Sequence, residues 1–154
     1  MTKIKIVLLI LFSQASFGQN EITIQAALFE NGKKIDVSEE ITVKNTSNIT
    51  LKEIALNDWN HAFSSKKTAL AKKFSDEFNR SFHLSNSTER GETIIEEVTD
   101  VNQKFLPYYR NENQIDILVI QLEKPLLVGE STTIKIKYQL LSLIHISEPT
   151  RQAE

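Results

Sequence analysis

Apolar residues recur at two spacings in this chain, and each spacing predicts a different structure. At residues 20–30 and 131–140 they alternate with polar residues, which is typical of strands with one buried face. Between residues 65 and 83 they recur every fourth position, on one side of a helix that Ser64 or Ser65 would cap. We therefore predict a mainly β fold, an antiparallel β-sandwich or saddle-like domain with one inserted amphipathic helix near residues 66–83. Its core-facing stripe would be Leu70, Phe74, Phe78 and Phe82.

Further signals place the other strands. The Asn-Gly pair at 31–32 predicts a hairpin whose second strand runs over about residues 34–44. Within residues 51–56 the alternation slips once, as it does at a β-bulge. Residues 115–122 are nearly all apolar and β-branched, which predicts a strand at the centre of a sheet. A turn at 125–130 then precedes the last strand.

The two ends of the chain differ from the part between them. Residues 1–18 contain two lysines, an apolar run and then small residues, the order of a secretory signal peptide. We expect export to the periplasm or the extracellular space, with no membrane span after cleavage, because a spanning helix needs roughly 20 apolar residues. Residues 141–154 match the in-frame translation of a transposase-type sequencing adapter, so we expect a non-native tail and a longer natural protein. Residues 19–140 then form one β-rich domain.

The overall composition excludes some classes of function. The chain has 18 basic and 20 acidic side chains and a net charge of −2, so its charge does not favour nucleic acid or an anionic membrane as a partner. It contains no cysteine, which excludes disulfides and thiol chemistry. No nucleic-acid partner is therefore expected.

The sequence contains no signature of a catalytic site. A His-Glu-x-x-His zinc helix, a Gly-x-Ser-x-Gly elbow, a phosphate loop and a dinucleotide fingerprint are all absent. His61 and His83 have no acidic partner at a useful spacing, so we expect structural or exposed roles for them. The acidic pairs at 39–40 and 96–97 are expected to be surface or turn residues, because neighbours in a strand point to opposite faces. We predict no catalytic, cofactor-binding or metal-binding residue in this chain.

Two blocks of the sequence resemble one family of enzymes. The first block runs from Leu51 through Trp59 and the helix to Gly91. The second is the Pro-Leu-x-x-Gly-Glu-Ser turn at 125–131 with the strand that follows it. Together they resemble the N-terminal region of secreted gluzincin metallopeptidases of Bacteroidetes-type bacteria, which are relatives of aminopeptidase N. The resemblance covers about residues 20–140.

This resemblance implies a non-catalytic N-terminal module that packs on a thermolysin-like catalytic domain. Zinc, its ligands and the general base would lie in that missing catalytic domain, with no cofactor in this chain. The implied partners are the catalytic domain of the same polypeptide and the peptide from which the parent would release N-terminal residues. A hypothesis from another class stays open, a free-standing periplasmic β-sandwich that binds a protein or glycan through exposed strands or the 57–63 loop.

Asp58, Trp59 and Asn60 are the candidate residues for interdomain docking. They lie where a predicted strand gives way to the helix-bearing insert, and Trp59 is the only tryptophan in the chain. Two interpretations stay open: the indole closes the edge of the domain's own core, or this corner docks on the catalytic domain and helps to shape the substrate cleft. The second predicts a partly exposed Trp59. We also expect an exposed apolar face that a neighbouring domain would cover.

Overall fold

The chain forms two antiparallel β-sheets that pack face to face, with a helical insert between the third and fourth strands. The computed structural model describes residues 20–29, 34–78, 80–87 and 89–141. The mainly β fold predicted from the sequence is confirmed. The predicted signal peptide and the chain after Leu141 lie outside the described residues. In chain order the elements are β1 (Glu21–Leu28), β2 (Lys34–Lys44), β3 (Leu51–Asn57), a 3-10 helix (Trp59–Phe63), α1 (Ala69–Asp76), α2 (Arg80–Leu84), β4 (Glu92–Asp100), β5 (Tyr108–Asn111), β6 (Gln114–Leu126) and β7 (Ser131–Leu141).

The strands are arranged as four over three. One sheet has the order β1-β2-β7-β4 and the other the order β3-β6-β5, with antiparallel pairing throughout. The predicted β1–β2 pairing is confirmed, with Ile22 opposite Ile41, while the predicted turn lies outside the described residues. The register of β3 against β6 shifts between Leu51 and Glu53, which confirms the predicted bulge. β6 is the central strand of its sheet, as predicted.

The core lies between the two sheets and takes inward side chains from both. In β7, Ile134 and Ile136 are buried while Lys135 and Lys137 are exposed. The predicted strand with one solvent-exposed face is therefore confirmed. Residues 118–120 of β6 are all buried, which shows that this strand is covered on both faces. The buried core cluster consists of Ile41, Ile54, Val98, Leu106, Leu118, Ile120, Ile134 and Ile136.

Asn45 fastens one end of the sandwich. Its side-chain amide donates to the carbonyl oxygens of Ile49 (2.8 Å) and Leu126 (2.9 Å). Its backbone N–H donates to Glu130 O, and its carbonyl accepts from the N–H of Gly129, both at 2.8 Å. Gly129 has φ +83°, a conformation that favours glycine because a Cβ would be strained there. The predicted turn before β7 is therefore tied to the end of β2.

The two sheets are joined along one side of the sandwich and open along the other. Leu106 N donates to Val98 O of β4 (2.9 Å), and Gln121 N of β6 donates to Pro107 O (2.8 Å). Residues 105–107 therefore lead the chain from the edge of the four-stranded sheet to the three-stranded sheet. The remaining edges are β1 and β3, and no strand pairing joins them within the described ranges. The sandwich is thus open between β1 and β3.

The predicted continuous helix at 66–83 is interrupted. It begins after Thr68, whose hydroxyl accepts from the N–H of Ala71 (3.1 Å), so the predicted caps Ser64 and Ser65 are wrong. Phe78 has φ +57°, which is outside the helical region, and the helical segments α1 and α2 lie on either side of it. Phe82 is fully buried, but Phe78 is 87% exposed, so the predicted core stripe is wrong at Phe78. None of the helices in the described residues is long and apolar enough to span a membrane.

Replacing Phe82 should destabilise the fold far more than replacing Phe78. We expect Phe82→Ala to lower the free energy of unfolding by about 3 to 5 kcal/mol, because it leaves a cavity under the insert. Phe78→Ala is the matched control and should change it by less than about 0.5 kcal/mol, since its ring is in water. Urea unfolding followed by circular dichroism measures both. Equal losses would contradict this placement of the two rings.

Candidate functional site

Asp58 lies directly after β3 and is held by groups from both sheets. Its backbone N–H donates to Asp116 O of β6 (2.6 Å). Its carboxylate accepts from Thr93 Oγ1 of β4 (2.6 Å) and forms an ion pair with Arg110 of β5. The side chains of Asp58 and Arg110 are only 12% and 16% exposed, so this ion pair is largely removed from water. Asp58 thus links the two sheets at the end opposite Asn45.

Thr93 extends these contacts into the 3-10 helix. Asn60 Nδ2 lies 3.4 Å from Thr93 Oγ1 and 3.5 Å from the carbonyl oxygen of Leu141. His61 Nδ1 lies 3.2 Å from Thr93 O, and because a carbonyl only accepts, Nδ1 carries the proton. We call Asp58, Asn60, His61, Thr93 and Arg110 the Asp58 network. It fixes both chain neighbours of Trp59.

The Asp58 network makes His61 a weaker base. Burial is the largest cause of its lowered pKa, and the positive charge of Arg110 acts in the same direction. The charge of Asp58 and the hydrogen bond to Thr93 raise the pKa but do not cancel these effects. The folded state therefore favours neutral His61.

Trp59, between two members of the Asp58 network in the chain, is 59% exposed. Its ring meets the edge of Phe63, with centroids 6.1 Å apart and planes at 80°. Phe63 in turn contacts the rings of Phe74 and Phe82, with centroids 6.2 and 6.1 Å away. Trp59 is therefore the most exposed ring of an aromatic cluster, and its exposure agrees with what the docking interpretation predicts. Both interpretations of its role stay predictions.

A cleft of about 350 Å³ lies between the sheets beside Trp59. Polar side chains also stand in its mainly apolar wall: Asn57, Asp58, Asn60 and Thr93 at one end, together with Glu39 and Tyr138. Tyr138 Oη donates to Glu39 Oε2 (2.9 Å), and burial together with this carboxylate raises the pKa of Tyr138. Glu39 is half-buried and points inward, so placing it on the surface was wrong. The apolar wall is formed by Ile22, Ile41, Leu56, Leu118, Ile95, Ile136 and Leu140.

The three predicted docking residues occupy different environments. Asp58 links the two sheets, Asn60 ties the 3-10 helix to the four-stranded sheet, and of the three only Trp59 offers a largely exposed side chain to a partner. Whether they dock on another domain stays a prediction. The sequence did not reveal Arg110 and Thr93, which complete the network from β5 and β4. The one signal in the sequence for these two partners was Asp58 itself, an acidic residue directly after a strand. A carboxylate that is buried at such a position requires hydrogen-bond donors from elsewhere in the chain.

The described residues contain no group of three or more His, Asp or Glu side chains that could hold a metal ion. His61 bonds to a backbone carbonyl through Nδ1, and His83 Nε2 lies 2.9 Å from the carbonyl oxygen of Ala71. These contacts place both rings in the fold. The zinc expected in a separate catalytic domain stays a prediction.

Removing Asp58 should be far more costly than removing an exposed acid. We expect Asp58→Ala to lower the free energy of unfolding by about 3 to 5 kcal/mol, because Arg110 is left largely buried without a counter-ion. Adding Arg110→Met should restore part of that loss. Glu123→Ala, at the exposed Lys104–Glu123 pair, is the control and should cost at most about 1 kcal/mol. Urea unfolding of the three variants and the unchanged protein tests this, and similar losses at the two acids would contradict it.

Acidification should destabilise the fold partly through His61. Its pKa is lower in the folded state than the ordinary 6.5, so the unfolded chain takes up a proton first as the pH falls. This contribution is constant above that value, and stability is lost as the pH falls from it toward the folded pKa. His61→Gln should flatten this part of the pH profile of urea unfolding between pH 7.5 and 5.5, whereas His83→Gln should retain it. An unchanged slope in His61→Gln would rule out the linkage.

Comparison with known proteins does not assign the chain to a family. No protein-family model matches it, and no curated protein matches it. The resemblance to gluzincin metallopeptidases therefore stays a prediction, and the geometry of the Trp59 corner and the cleft carries the functional argument.

Proposed function

We propose that this chain is the non-catalytic N-terminal β-sandwich domain of an exported, zinc-dependent metallopeptidase related to aminopeptidase N. It docks on the catalytic domain through the corner formed by Asp58, Trp59 and Asn60. The parent releases N-terminal residues from peptides, and this domain contributes no catalytic group. The observation that carries the docking proposal is the exposed indole of Trp59, whose chain neighbours Asp58 and Asn60 are held in place by the Asp58 network.

Trp59 is suited to binding because the backbone on both sides of it is held in place. The residues on either side of it are fixed by hydrogen bonds to Thr93, and Asp58 is also paired with Arg110. An aromatic side chain that is already oriented loses little conformational freedom when a partner covers it. Tryptophan is also enriched among residues that dominate binding energy at interfaces. Trp59 therefore supplies an oriented and largely exposed anchor at the edge of the aromatic cluster.

Trp59 also stands between two hollows. The cleft between the sheets lies on one side, and a second hollow of about 340 Å³ lies on the other, between α1 and the β5–β6 turn. This second hollow is lined by charges of both signs, from Lys67, Lys72, Lys73, Glu112 and Asp116. A catalytic domain with an apolar projection and charged groups complementary to these would fit this corner, since charge complementarity favours correct orientation.

The open side of the sandwich supports a second candidate, a free-standing periplasmic binding module. An uncovered cleft between β1 and β3 could serve such a module without any catalytic domain. The source gene separates the two candidates. For the peptidase we expect the natural reading frame to continue past Leu140 to a His-Glu-x-x-His motif and a later Glu. A stop codon soon after Leu140 would reject the peptidase and favour the binding module.

Fluorescence of the single tryptophan should report docking. In the isolated chain we expect red-shifted emission that iodide quenches readily, because the indole is 59% exposed. In the intact parent the emission should shift to the blue and resist iodide. Trp59→Ala should weaken association with a separately expressed catalytic domain by about thirtyfold or more. Phe78→Ala, which removes another exposed ring, is the control, and equal weakening by both variants would count against the Trp59 corner.

A further inference from the structure

The inward face of β1 is uncovered. Ile22, Ile24 and Leu28 are 56%, 57% and 68% exposed. Their neighbours on the same face of β2, Val37 and Ile41, are buried. The three-stranded sheet therefore ends before it reaches β1. This is the exposed apolar face expected from the sequence.

A segment that covered the inward face of β1 would occupy a defined position. The sandwich has four strands over three, and β3 is the edge of the smaller sheet on the open side. A strand added beside β3 would lie opposite β1, at the usual sheet separation of about 10 Å. β3 is seven residues long, which sets the length of the strand that would fit. In the described residues, no strand pairs with this edge of β3.

The free edge of β1 lacks the usual protection, whereas β3 carries one exposed lysine, Lys52, near its start. Soluble proteins block exposed strand edges with Pro or Lys, or with a covering segment. β1 contains neither Pro nor Lys and has Glu21 as its single charged residue. Its eight residues are exposed and pair only with β2 among the described strands. Free backbone N–H and C=O groups next to an apolar face favour an extended peptide as the occupant.

Glu39 adds a requirement for charge. It lies in register with Ile24 of β1 and with the buried Ile136 of β7, so its side chain points into the open side. Its carboxylate accepts a hydrogen bond from Tyr138 Oη, which leaves further acceptor capacity. No Lys or Arg in the described residues forms an ion pair with Glu39. A cationic side chain on the occupant would compensate this charge.

We infer that the open side between β1 and β3 binds an extended segment of another polypeptide. The segment is about seven residues long, pairs with the free edge of β3, and covers Ile22, Ile24 and Leu28 with alternate apolar side chains. One inward Lys or Arg reaches Glu39. A second copy of this chain fits less well, because edge-to-edge pairing of two β1 strands would leave both inward faces uncovered. The inference concerns the open side and does not depend on the proposed peptidase.

The first experiment titrates the full chain with the capped peptide Ile-Thr-Lys-Thr-Val-Thr-Ile. Trp59 lies in the wall of the cleft, so its emission reports binding. Two control peptides carry N-methyl groups, one on the Thr amides and the other on the remaining amides. Successive amides of a strand point to opposite sides, so one methylated peptide should lose affinity by about tenfold or more while the other retains it. Equal affinities of the two methylated peptides, or no binding at millimolar concentration, would overturn the inference.

The second experiment tests the charge. Glu39→Gln should weaken the Lys peptide by about tenfold and leave a peptide with Leu in place of Lys unchanged. Glu40→Gln is the matched control, because Glu40 points outward and pairs with Lys135. A peptide with Glu in place of Lys tests the same point without any protein variant and should bind at least about tenfold more weakly. Equal binding of the Lys and Glu peptides would overturn the charge requirement. A dimer in sedimentation that Ile24→Lys converts to monomer would assign the open side to a second copy instead.

Discussion

The buried ion pair between Asp58 and Arg110 holds one end of this sandwich together. Two sheets that pack through apolar side chains can slide, because the hydrophobic effect has no direction. A charged pair with little access to water has a narrow range of acceptable geometries, since separating the charges leaves one uncompensated. Thr93 ties the same carboxylate to the four-stranded sheet, and Asn60 and His61 bring the 3-10 helix to it. The position of Trp59 follows from these contacts.

The sandwich is fixed unevenly around its perimeter. Asn45 closes one end with side-chain and backbone hydrogen bonds, and the Asp58 network closes the other. Residues 105–107 join the sheets along one side. Along the fourth boundary, between β1 and β3, no strand pairing joins the two sheets in the residues that the structure describes. The candidate binding module uses this unevenness, because a surface that the fold leaves uncovered is where a partner can contribute burial.

Much of the fold could be predicted from local pattern. Alternation in β7, the apolar run in β6 and the slip in β3 each report on a few neighbouring residues, and each was confirmed. The helical stripe was wrong at Phe78, because a four-residue period cannot reveal that the backbone leaves the helical region there. The candidate site could be predicted only in part. Asp58 and Asn60 were found by position in the sequence, whereas Arg110 is distant in the chain and only tertiary pairing brings it to the carboxylate.

The pairing of β2 with β7 has a consequence for the order of folding. Lys34 lies opposite Leu141, so the central ladder of the four-stranded sheet joins the second described strand to the last one. The β1–β2 and β5–β6 pairs close short loops, but this ladder requires the chain to close a long one, and long-range pairing of that kind is slow. The first hairpin therefore lacks its neighbouring strand until β7 has been synthesised. A binding chaperone would have its longest opportunity during that interval.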